Sequence, residues 1–195
     1  MSTLRITFLL TILTPAIFCT GQTGDLYFSL QQMPDLSWGV YVKPGDSVFP
    51  TERTSTGTGQ VTIVAPLGFE YTDIQHHGGS WMENARVDAP EEASDKTYIS
   101  FGFVNDSPKL QLYPNEETLL FTFRSDMGFE MPLSLFENET DPFATPNSLD
   151  TNPGNEIGIL DLGTKKGMQT YRYAGNYQAE KLQAMAVMMM DDDND

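Results

Sequence analysis

Asp25-Leu-Tyr-Phe-Ser-Leu-Gln31 alternates, with Leu26, Phe28 and Leu30 falling on one face and Asp25, Tyr27 and Ser29 on the other. A period of two marks a half-buried β-strand. The same reading extends outward in both directions along the body of the chain. Leu36–Lys43 is a second β-rich run, closed by Pro44-Gly45-Asp46, and Gln60–Ala65 is a third, stopped by Pro66. Phe69–Ile74, Trp81–Val87, Thr97–Val104, Thr118–Phe123, Met131–Phe136 and Ile157–Leu160 follow. Thr51–Gly59 is polar and rich in Gly and Thr, so it reads as a loop. Short runs of Val, Ile, Thr, Tyr and Phe bounded by turn formers predict an all-β, two-sheet sandwich over about residues 25–173. No part of this body sustains a helical period. Phe28, Val61, Ile63, Ile99, Phe101, Leu120 and Leu133 are its expected core.

The two ends read differently. Arg5, an uncharged apolar run from Ile6 to Cys19 and then Thr20-Gly21 form the pattern of an export signal. Residues 1–21 are the expected signal peptide, cleaved to leave Gln22 first. Lipid attachment at Cys19 is the alternative, and Phe18 before it argues against that. The apolar run is too short to cross a bilayer. The mature chain is therefore expected to carry no transmembrane segment and no cysteine, so its core must hold without disulfides. At the other end, residues 178–195 predict a short helix with Leu182, Met185 and Met189 on one face. An acidic tail, Asp191–Asp195, follows it. The domain between these ends is expected at 22–177.

Charge narrows the function classes. Eleven Lys and Arg stand against 27 Asp and Glu, a formal charge of −16. Such a surface repels phosphate, so nucleic acid is excluded as a partner. Catalytic motifs are equally scarce. His76-His77 precedes Gly78-Gly79, but adjacent side chains in an extended chain point to opposite faces, and the chain has no third His. There is no His-Glu-x-x-His, Gly-x-Ser-x-Gly or phosphate-binding glycine loop. The chain is read as non-enzymatic.

Two weak binding signals remain. Asp141, Asn147, Asp150 and Asn155 sit in an oxygen-rich stretch that a calcium ion would suit. The same residues also cap their own backbone in turns, which is the preferred reading, so no cofactor is expected. Trp38, Tyr41, Tyr171 and Tyr173 offer rings for a sugar or protein surface, although β cores use the same residues.

Several segments together resemble a cohesin-like β-sandwich domain of secreted surface and adhesin-type proteins of Bacteroidota. They include Gly57–Pro66, Trp81–Pro90, Tyr98–Gly102, Leu120–Phe123, Gly154-Asn155 and Ala174–Tyr177. The most specific is Asp141-Pro-Phe-Ala-Thr-Pro-Asn-Ser148. The resemblance implies an Ig-like or jelly-roll sandwich, related in fold to cohesins and carbohydrate-binding modules. It also implies a secreted or cell-surface location. The expected function is a non-catalytic adhesion or scaffolding module that binds a protein or glycan ligand. A carbohydrate-binding module is the alternative, and a cryptic hydrolase the second alternative.

Overall fold

The computed structural model describes residues 23–45, 50–125, 132–163 and 169–178. The expected signal peptide at 1–21, Cys19, and the helix and acidic tail after Gln178 lie outside the described residues.

The alternating run at residues 25–31 becomes β1 (Thr23–Gln32), with Leu26 and Phe28 fully buried. The next β-rich runs form β2 (Trp38–Pro44), β3 (Thr54–Pro66), β4 (Tyr71–His76), β5 (Ser80–Asp88) and β6 (Lys96–Asn105). The remainder are β7 (Thr118–Ser125), β8 (Ser134–Leu135), β9 (Glu156–Asp161) and β10 (Gln169–Asn176). The described residues contain no helix. The protein is all-β.

The strands form one hydrogen-bonded path, β4-β7-β2-β1-β10-β9-β3-β6-β5, with β8 paired to β3. Among the described residues only β1 and β10 run parallel; every other pair is antiparallel. The path curls until its ends face each other across the core, nearly closing a barrel. An aromatic seam fills the gap. Phe101 of β6 lies 5.0 Å from Phe121 of β7, and Tyr71 of β4 lies 5.1 Å from Phe101. Trp81 of β5 packs 5.6 Å from Phe121. The two terminal strands are neighbours in sequence, joined by His77-Gly78-Gly79. Bulges interrupt both, between Thr72 and Gln75 in β4 and at two points in β5. Bulged edge strands resist pairing with another chain.

Phe28, Val61, Ile63, Ile99, Phe101 and Leu120 are buried as expected, whereas Leu133 is only half-buried against that cluster. Thr51–Gly59, expected as a loop, is a strand from Thr54 onward. It pairs with β9 from Thr54↔Asp161 to Gln60↔Glu156. Its glycine content misled because Gly59 is there for a close approach. A Cβ at that position would sit 2.9 Å from the Trp81 ring and 3.2 Å from Phe103 Cβ. The run expected at Met131–Phe136 is paired only at Ser134–Leu135, and Met131 lies outside the described residues.

Asp161, fully buried at the end of β9, ties the chain before β3 to the barrel. Its carboxylate accepts the Thr51 N–H at 2.8 Å, the Gly163 N–H at 2.8 Å and the Thr51 hydroxyl. Burial on its own would raise this acid. The Thr51 hydroxyl and the two backbone N–H donors outweigh it and hold the carboxyl below its ordinary value.

Gly59→Val should destabilise by about 1–3 kcal/mol through overpacking. Gly57→Val, whose Cβ meets only the Gly158 carbonyl at 3.6 Å, should cost far less in the same urea titration. Asp161, with a lowered folded pKa, adds stability above its unfolded value near 3.8. That contribution fades as the pH falls through the still lower folded value. Asp161→Asn should therefore cost roughly 2 kcal/mol at pH 7 and show a shallower loss of Tm between pH 5 and pH 2 than the parent.

Candidate functional site

Alternation along β3 and β6 gives the sheet two apolar faces at one end and only one at the other. Ile63 and Ile99 point into the barrel, so their neighbours Val64 and Tyr98 point outward. Both are nevertheless buried, because the segment from Phe136 to Asn155 folds over them. Phe143 is fully buried against Tyr98, with ring centroids 4.8 Å apart, and Phe136 lies 6.0 Å from the same ring. Phe143 sits on the outer face of β3 and β6, where it seals a second, smaller core.

The calcium candidates hold this cover in place. Asp141 accepts the Phe143 N–H and the Tyr98 hydroxyl, both at 2.9 Å. Burial, followed by that carboxylate, pushes the Tyr98 phenol well above its usual range. Asn155 accepts the Thr62 N–H at 2.8 Å and donates to the Phe136 carbonyl at 2.8 Å. Asn147 closes its own turn, accepting from Leu149 and Thr151 and donating to Phe143 O at 3.0 Å. Asp150 is exposed in the left-handed region at φ 51°. The oxygens of Asp141, Asn147 and Asn155 are thus each turned to a separate protein donor. Among the described residues, no three His, Cys, Asp or Glu side chains gather as metal ligands. His76 and His77 are exposed, and His76 Nδ1 accepts the Trp81 N–H at 3.3 Å.

Beyond this cover the outer face opens out. Thr62 and Ser100, whose hydroxyls bond at 2.8 Å, are still buried, and the Asn84 amide, which donates to Gln60, lies over Gly102 of its floor. Met82 on β5 and Val104 on β6 rise from it, 60% and 52% exposed. Their neighbours Trp81 and Phe103 point inward and pack on each other at 5.5 Å. The exposed pair is therefore a consequence of register. The sequence carries this signal, because placing Trp81 inside puts Met82 outside.

The four aromatic candidates do not share a surface. Tyr171 is fully buried, and burial, followed by the Asp161 carboxylate, pushes its phenol up to about 12. Tyr173 leans on Phe28 at 5.1 Å. Trp38 packs against the end of the main core, its buried Nε1 without an acceptor. Tyr41 alone of the four points outward, between inward-facing Val40 and Val42.

Set against known proteins, the chain matches no family model, no curated sequence and no solved structure.

Removing the Phe143 anchor should unseat the cover. Phe143→Ala is expected to lose about 3–5 kcal/mol in urea denaturation. EDTA added to the parent protein should leave its Tm unmoved; a fall of several degrees that calcium reverses would make the loop a metal site.

Proposed function

We propose that the protein is a non-catalytic binding or scaffolding module of the bacterial cell surface, exported by its N-terminal segment and built as a cohesin-like, Ig-type sandwich. The curled strand path supports the sandwich reading, because β7, β2, β1 and β10 lie across one core from β3, β6 and β5. The ligand is a protein that docks on the outer half of β3, β6 and β5 that carries Met82 and Val104.

One observation carries this reading. The same sheet face is covered with aromatic rings at one end, while at the other Met82 and Val104 stand exposed beside Asn84, whose amide lies over Gly102. Exposed apolar residues on a flat, polar-rimmed sheet suit a protein contact, in which a few anchors carry most of the energy. An enzyme would require converging acid–base groups, and this end of the face offers amides and a thioether instead.

The test uses the purified chain against an immobilised outer-membrane protein fraction from Bacteroidota and against a glycan array. The parent should bind the protein fraction, and Met82→Glu/Val104→Glu should abolish binding with Tm unchanged. Binding that survives both substitutions would overturn the docking face.

A further inference from the structure

On the opposite side of the barrel, the outer face of β1 and β2 carries two partly exposed tyrosines. Tyr27 and Tyr41 point outward because Leu26, Phe28, Val40 and Val42 fill the core. They are diagonal neighbours, since Tyr27 pairs with Lys43 and Ser29 with Tyr41. That spacing is about 7–8 Å between backbones. Each ring rests on glycine. A Cβ at Gly39 would come within 2.8 Å of Tyr41 Cε2, and one at Gly45 within 3.4 Å of Tyr27 Cε2. Gly175, at φ 150°, borders the other edge of the Tyr27 ring at 3.9 Å. The Tyr41 ring edge thus fills the space over Gly39 together with Leu119 and Met33, and the Tyr27 ring lies between Gly45 and Gly175. Both tyrosines are accordingly half-buried.

A third ring completes the surface. Tyr177 is held by its N–H to the Phe28 carbonyl at 2.9 Å and by its hydroxyl to Glu117 at 2.9 Å. Lys43 Nζ lies 5.9 Å from its centroid. Glu117 also accepts from Gln31 at 3.1 Å, so the rim carries a carboxylate, an amide and an ammonium in fixed positions.

We propose that Tyr27, Tyr41 and Tyr177 form a stacking platform for a neutral oligosaccharide, separate from the protein-docking face. The apolar C–H faces of sugar rings stack on exposed aromatic faces, while hydroxyls bond to polar groups at the rim. Rings at neighbouring-strand spacing accept successive sugars of one chain. The ligand is neutral because a protein of charge −16 repels acidic polysaccharides. Of the four aromatic residues singled out from sequence, only Tyr41 reaches this face.

The experiment is affinity electrophoresis of the full chain in native gels containing β-glucan, xyloglucan, xylan or mannan. At least one polymer should retard the protein. Tyr27→Ala and Tyr41→Ala should each weaken retardation roughly tenfold, a loss of about 1.4 kcal/mol. Tyr41→Phe, which keeps the ring, should stay within about twofold of the parent. Gly39→Ala should weaken retardation with every tyrosine present, because its Cβ lifts the Tyr41 ring. Met82→Glu/Val104→Glu should leave retardation unchanged, which separates the two faces. No retardation by any of the four polymers overturns the proposal. So does retardation that both alanine variants leave intact, or that Tyr41→Phe abolishes.

Discussion

Trp81 is the contact on which the closure of the barrel depends. Its indole N–H donates to the Gly78 carbonyl at 2.8 Å, and its ring meets Phe103, Phe121 and the bare backbone of Gly59. Those partners belong to β6, β7, β3 and the turn between β4 and β5. One side chain thus joins both ends of the strand path. The turn is itself pinned, with the His77 and Gly78 N–H groups both donating to Leu120 O at 2.9 Å. With the ends held, strands distant in sequence share one aromatic core.

Closure fixes which side chains face out. With Trp81 and Phe103 inside, Met82 and Val104 are outside; with Val40 and Val42 inside, Tyr41 is outside. A one-residue slip would exchange the two sets, so the main core enforces the surface chemistry. Both proposed binding faces are therefore by-products of the same register, on opposite sides of the barrel. The second core follows the same logic. Val64 and Tyr98 face outward because Ile63 and Ile99 face inward, and the Phe136–Asn155 segment covers them.

Polar residues do a different task here. Asp161 and Asn155 each hold a loop to a strand through backbone N–H groups, and Asp141 does so through the Tyr98 hydroxyl. A buried donor left unpaired costs more than a typical hydrogen bond contributes, so such side chains specify where irregular segments attach. In sequence Asp141 and Asn155 look like a cation site, because the same oxygens serve both purposes.

Local pattern determined that the chain is all-β, roughly where most strands lie, and which side of each strand is apolar. Leu26-Tyr-Phe, Val61-Thr-Ile and Ile99-Ser-Phe are legible because a strand alternates sides with a fixed period of two. Tertiary structure alone decided the rest. Thr54–Gly59 became a strand because β9 pairs with it and Trp81 needs its glycine, neither of which is a local property. Phe143 went to the outer face and Tyr171 to the core through contacts many residues away in the chain. Tyr27 and Tyr41 became neighbours through cross-strand register. Periodicity is written residue by residue, whereas partnership between strands is set only when the whole core is packed at once.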